Sequence, residues 1–192
     1  MNILDIFKSG NTVLTFKDIF LSFGETNPAL LRRKLSYYVK KNYLYPLRRG
    51  IYAKNKNYNK YELATRICTP SYISFETVLS DCSVNFQYYT QIFVASYKTK
   101  EIECDGQKYV YSKMRDDILT NPSGVRNQDG YSIASVERAF LDIIYSHKNY
   151  HFDNLSPLNW DKVYELLPIY GGNKRMAKTV KLHHEGFKNG LT

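Results

Sequence analysis

Cysteine is scarce in this chain, with three among 192 residues, and none of the three, Cys68, Cys82 and Cys104, stands in a C-x-x-C spacing. That argues against a disulfide framework and against a structural zinc site built on paired cysteines. No stretch approaches 18 uninterrupted apolar residues, and the opening MNILDIFKSG lacks the basic start and apolar run of a signal peptide. These absences predict a cytoplasmic protein with no membrane partner. Glycine motifs that cradle phosphate or present a nucleophile are missing too, since no P-loop, G-x-G-x-x-G or G-x-S-x-G occurs. Acidic residues are short at one end. Residues 1–56 hold 11 Lys/Arg against 3 Asp/Glu, so this stretch carries +8 of the chain's +9.

The charge step near residue 57 predicts two units, a small N-terminal domain over 1–56 and a larger one over 57–192. A basic balance with 15% aromatic residues suits a polyanionic partner, because Lys and Arg release counterions from phosphates. The 18 tyrosines carry little weight, since Tyr, Lys, Asn and Ile rise together when coding DNA is rich in A and T.

Within the basic stretch, Ile3, Leu4, Ile6 and Phe7 predict a short helix over 2–8. Thr15 and Asp18 have capping-box spacing, and Phe16, Ile19, Phe20 and Phe23 continue as the apolar stripe of a second helix that ends at Gly24. Asn27 followed by Pro28 is a helix start, with Asn accepting from free backbone N–H groups and Pro in the first helical position. That helix should run to about Lys41. At 100° per residue, Leu31, Leu35, Tyr38 and Val39 share one arc, while Arg33, Ser36, Tyr37 and Lys40 lie opposite, bordered by Arg32 and Lys41. Next, Tyr43, Tyr45 and Leu47 alternate, Arg48-Arg49-Gly50 turns, and Ile51 to Ala53 returns as a hairpin. The order reads as a winged helix-turn-helix. In that geometry Arg32, Arg33, Ser36 and Tyr37 reach base edges of double-stranded DNA, and Lys40, Lys41, Arg48 and Arg49 meet phosphate.

Beyond residue 57 the pattern predicts a helix from Asn59 to Cys68 with Tyr61, Ala64, Ile67 and Cys68 on its inner side. It continues with a strand at 71–74, a helix from Phe75, a strand from Tyr89 to Tyr97, and a hairpin turning on Asp105-Gly106. A polar, turn-rich segment spans 121–130. The strand YSIA then leads into a helix capped by Ser135 and running to about Ser146, and helices at 159–167 and 173–184 follow. Hairpins and separate helices predict an α+β fold with antiparallel hairpins rather than repeated βαβ units.

Two segments, LRRKLSYYVKKNYLYPLRRGIYAK at 31–54 and SIASVERAFLDII at 132–144, with ELATRICTPSYISFETVLS at 62–80 between them, resemble the AbiEi family of antitoxins from type IV toxin-antitoxin systems. The resemblance spans about residues 10–145. It implies a winged-helix repressor that binds inverted repeats upstream of its own operon and is paired genetically with a nucleotidyltransferase toxin. The antitoxin would oppose that toxin without a stable complex, through its C-terminal domain. Glu137, Arg138 and Asp142 match the family's most recognisable polar positions, and an ion-pair set tying their helix to the sheet is the plainer reading of them. A different expectation is a protein-interaction module that binds the toxin directly through the C-terminal domain.

No catalytic constellation, metal set or cofactor motif stands out, so an enzyme is not expected. Glu101 and Glu103 flank a tight turn as solvated edge charges. Asp116 and Asp117, read as strand neighbours, point to opposite faces, which disfavours a nuclease metal pair. His147 and His151 have no third ligand near them in sequence, and His183-His184-Glu185 reads as a solvent-facing helix end.

Overall fold

A computed structural model describes residues 8, 10–22, 24 and 27–190. Residues 2–7 of the helix expected over 2–8, and the stripe residue Phe23, lie outside the described residues. The fold is mixed α+β. It opens with β1 (Val13–Thr15), α1 (Phe16–Ser22), α2 (Pro28–Lys40), β2 (Tyr45–Arg48) and β3 (Ile51–Ala53). The three strands form one antiparallel sheet in the order β1-β3-β2.

Local chemistry sets these boundaries. Thr15 and Asp18 exchange capping bonds: the Thr15 N–H donates to Asp18 Oδ2 (3.0 Å) and the Asp18 N–H to Thr15 Oγ1 (3.1 Å). Asn27 Oδ1 accepts from the N–H groups of Ala29 (2.9 Å) and Leu30 (3.3 Å), with Pro28 next in the chain. Asn42 ends α2 in the left-handed region (φ 57°), a conformation that Asn tolerates better than most residues. Asn27→Ala is expected to cost about 1 kcal/mol of unfolding free energy in urea titrations, the usual worth of such a cap.

The larger part contains α3 (Lys60–Ile67), β4 (Ser71–Ile73), α4 (Phe75–Asp81), β5 (Ile92–Ser96), β6 (Lys100–Cys104), β7 (Gln107–Lys113) and α5 (Asp116–Leu119). It continues with β8 (Val125–Gln128), β9 (Tyr131–Ala134), α6 (Val136–Ser146), α7 (Trp160–Leu166), a 3-10 turn (Leu167–Tyr170) and α8 (Lys174–Lys188). Its six strands run β6-β7-β5-β4-β9-β8. The hairpins β6–β7 and β8–β9 turn on Asp105-Gly106 and Asp129-Gly130, where both residues of each pair have positive φ. Antiparallel hairpins alone do not describe this sheet. The pairs β5/β7 and β4/β9 are parallel, so the sheet is mixed.

Alternation along the strands sends side chains to two faces. Tyr111 on β7 shares a face with its neighbours Val94 and Ile73 and donates to the Ala64 carbonyl of α3 (2.8 Å). Tyr72 faces the other way and donates to Asp142 of α6 (3.1 Å). Helix α3 therefore covers one face of the large sheet and α6 the other. The expected inner side of α3 needs correction: Glu62, Leu63, Ala64 and Thr65 are its buried residues, while Tyr61 and Ile67 are half-buried. The reason is that α3 touches β1 as well as β4 and β9, so it has two inner sides.

The two parts are joined by more than chain connectivity. Leu14, Ile19, Leu31, Leu35 and Leu44 form a small core, but Val13, Ile51 and Ala53, on the other face of the first sheet, belong to the large core. The Glu62 carboxylate accepts from both the N–H (2.8 Å) and hydroxyl (2.7 Å) of Thr12, and Arg66 pairs with Asp18 (3.1 Å).

The expectation that His183 and His184 face solvent is also corrected. His183 packs edge-on against Phe152 (ring centroids 5.2 Å apart) and Phe140 (5.9 Å), and His184 stacks on Trp160 (4.4 Å). Burial holds the His183 imidazole below its ordinary value of 6.5, and His151 pushes the same way. The unfolded chain then takes up a proton at higher pH than the folded one, so this contribution is complete above 6.5 and is lost as pH falls through the lowered folded value. Urea midpoints at about pH 7.5 and pH 5.5 should differ less for His183→Gln than for the native chain.

Candidate nucleic-acid interface

Helix α2 is amphipathic because its apolar positions follow the helical repeat. Leu31 and Leu35 are fully buried, Tyr38 and Val39 pack at the margin of the small core, and the opposite face stays in water. All eight residues singled out there, Arg32, Arg33, Ser36, Tyr37, Lys40, Lys41, Arg48 and Arg49, are exposed. Arg48 pairs with Ile51, leaving Arg49 and Gly50 as the turn, and Gly50 takes φ 75°, a conformation in which a Cβ is strained. Pro46 lies on β2, an edge strand where a missing N–H is tolerated, and the register shifts by one residue between Pro46 and Arg48.

Helix and hairpin are brought together at Phe16. Its N–H donates to the Gly50 carbonyl (2.7 Å), while the Arg32 guanidinium lies over its ring, 5.3 Å from the centroid. Arg32 and Arg49 thus line one cavity of about 480 Å³ with Phe16, Gly50 and Tyr52. Arg32 sits between helix and turn, whereas Arg33, Ser36 and Tyr37 stand on the open face. Lys41 Nζ lies 6.0 Å from the Tyr37 ring centroid, so that ring carries a cation beside it. Burial pushes the Cys104 thiol up and nearby Arg48 opposes this, while Cys104 Sγ donates to the Leu47 carbonyl (3.2 Å) and so joins the hairpin to the larger unit. The contact of Arg32 with Phe16, and the cavity that both share with Tyr52, have no local sequence signal. They follow only from the pairing of β1 and β3.

The arrangement offers guanidinium and ammonium donors from one helix face and one hairpin turn, with a hydroxyl and a phenol between them. Such donors match phosphate oxygens and the acceptor edges of bases.

Glu137, Arg138 and Asp142 come together elsewhere, in the interior. Arg138 and Asp142 are fully buried, with Arg138 Nε 3.5 Å from Asp142 Oδ1. Arg138 donates to the carbonyls of Ser123 (2.8 Å) and Ile118 (2.6 Å) and to the Tyr72 hydroxyl (3.1 Å). Asp142 accepts from Tyr72 (3.1 Å), Ser74 (2.7 Å) and Tyr170 (2.7 Å). Glu137 accepts from the Asn159 N–H (3.4 Å) at the start of α7. The network ties α6 to β4, to the 115–123 segment and to the 3-10 turn.

The remaining acidic and histidine candidates stay apart. Asp116 and Asp117 begin the short helix α5 rather than lying on a strand, and Asp117 is clamped by Arg115 Nε (2.5 Å) and its terminal nitrogen (2.6 Å). That contact holds the Asp117 carboxyl below the usual carboxylate range. Helix α6 ends at Ser146, so His147 and His151 do not share a helix face. Among the described residues no group of three His, Cys, Asp or Glu side chains is placed to hold a metal ion, and no helix is long and apolar enough to cross a membrane. No protein-family model matches the chain, and no curated protein matches it either.

Proposed function

We propose that this protein is a DNA-binding antitoxin of the AbiEi type that represses its own operon through a winged helix formed by β1, α1, α2 and the β2–β3 hairpin. The observation that carries this reading is the capped helix α2, which buries Leu31 and Leu35 and leaves Arg33, Ser36, Tyr37 and Lys40 exposed beside an exposed Arg48-Arg49 turn. A helix of that kind lies in the major groove, and a hairpin turn of that kind meets the flanking backbone. Arg33, Ser36 and Tyr37 read base edges, Arg32 joins them from the hairpin side, and Lys40, Lys41, Arg48 and Arg49 hold phosphate. The nearly neutral larger unit opposes a nucleotidyltransferase toxin encoded by the neighbouring gene, and no chemistry on this chain is required for DNA binding.

A reporter driven by the chain's own upstream DNA tests the reading. Expression of the protein should silence it, and Arg33→Ala should relieve the silencing while the protein stays folded. Silencing that is absent, or unaffected by Arg33→Ala, contradicts it. Direct capture of the toxin is the competing expectation. Under the proposed reading the chain and the neighbouring gene product leave a gel-filtration column as separate peaks, and co-elution would favour capture.

A further inference from the structure

A cavity of about 800 Å³ opens on the larger unit between α4, the loop at 82–91 and the β6–β7 turn, where the DNA-binding reading assigns no role. Its lining residues include the aromatic Tyr61, Phe86, Tyr88 and Tyr89 and the acidic Glu76 and Asp81. Phe86 is 69% exposed and Tyr88 91% exposed, so two large rings stand in water at its mouth. Glu76 is the opposite case. It is only 8% exposed and has no ion pair within 4 Å among the described residues. Burial pushes its carboxyl upward, with its own backbone N–H and His147 opposing.

A carboxyl group taken out of water without a direct ion pair is costly, and the cost falls when a cation comes into contact with it. Lys60 is the wall's single Lys or Arg against the two acidic residues Glu76 and Asp81, and its Nζ donates to Gln107 Oε1 (3.1 Å), so acidic groups outnumber basic ones here. Asp81 accepts only from the Tyr61 hydroxyl (3.1 Å) among the described residues, which leaves oxygen lone pairs open. The backbone fixes this wall at both ends of α4, since Phe75 and Ser83 take φ 56° and 58°, values side-chain-bearing residues seldom adopt. The Phe75 turn lets Ser74 donate to Asp142 in the interior while Glu76 lines the cavity. An anion would meet two carboxylates here, and a neutral ring would bring Glu76 no ion pair.

We propose that this cavity binds a cationic head group, a guanidinium or ammonium, stacked on the exposed rings and neutralised by Glu76 and Asp81. Aromatic cages with an acidic member recognise such groups, since the ring faces and the carboxylates attract the same charge. The source is either a free small cation or an Arg or Lys side chain of a partner protein.

NMR titration of the full chain with N-acetyl-arginine amide, and with its neutral analogue N-acetyl-citrulline amide, tests this. Shifts should cluster at residues 76–91, and the arginine derivative should bind about tenfold more tightly than citrulline. Asp81→Asn and Tyr88→Ala, both at exposed positions, should each weaken the arginine derivative at least threefold, roughly the worth of one such contact. Equal binding of the two compounds, shifts confined to other surfaces, or indifference to both variants would overturn the proposal. A Gly/Ser peptide with one central Arg separates the sources. Binding as tight as the capped amino acid assigns the cavity to a protein side chain, and exclusion of the peptide assigns it to a free small cation.

Discussion

Replacing Arg138 with Met is expected to lower the unfolding free energy by about 3–5 kcal/mol, because it strands the Asp142 carboxylate in the interior without its cation. Arg138 and Asp142 are both fully buried, so water cannot take over the lost partner. A loss of that size is a large share of the roughly 5–15 kcal/mol that holds an ordinary domain together. Much of the variant should therefore be unfolded at 37 °C. Tyr170→Phe removes one of the three hydroxyl donors to Asp142 and should cost less, about 1.5–3 kcal/mol for a bond to a charged group. Urea titrations by circular dichroism read both values. A cost below about 1 kcal/mol for Arg138→Met would mean that the pair is not the tie between α6 and the sheet.

The second large effect concerns salt. If Lys40, Lys41, Arg48 and Arg49 each neutralise one phosphate, log Kd should rise with log salt at a slope of about 3.6, from about 0.9 per contact. Between 50 and 200 mM salt that weakens binding by about 150-fold. Arg48→Ala with Arg49→Ala should halve the slope to about 1.8, and the same salt step should then weaken binding by only about 12-fold. The double variant should also lose affinity for every duplex alike, since phosphate contacts carry no sequence information. An unchanged slope would remove the hairpin turn from the interface.

Much of this molecule is written locally in its sequence. The Asn27-Pro28 start, the Thr15/Asp18 capping box, the Ser135 cap and the Asp105-Gly106 turn each satisfy backbone groups within three or four residues, and the corresponding elements stand where those signals put them. The exposed face of α2 is legible for a similar reason, because helical periodicity alone separates Leu31 and Leu35 from Arg33 and Ser36. What periodicity does not encode is the partner of a face. Helix α3 touches both sheets, so Glu62 is buried against Thr12, a residue 50 positions earlier in the chain. Strand β8 was hidden in a polar segment because it is an edge strand, with only Val125 half-buried and Arg126, Asn127 and Gln128 in water.

The candidate interface divides in the same way. Arg33, Ser36, Tyr37 and Lys40 follow from the helix alone. The placement of Arg32 over Phe16 depends on the three-residue strand β1, too short to leave a pattern, which pairs with β3 and brings the start of α1 against the hairpin turn. Glu137, Arg138 and Asp142 stand out in sequence as polar residues on an otherwise apolar helix. Only the fold shows Tyr72, Ser74 and Tyr170 closing around Asp142.

The most direct measurement is the ratio of two dissociation constants, taken by fluorescence anisotropy at one salt concentration, for the chain's own upstream duplex and for a scrambled duplex of equal length and composition. DNA reading by α2 predicts that the upstream duplex binds at least about 10³-fold more tightly, and that Arg33→Ala reduces this advantage by about 1–3 kcal/mol while leaving the scrambled duplex nearly unaffected. Equal constants for the two duplexes would contradict the account.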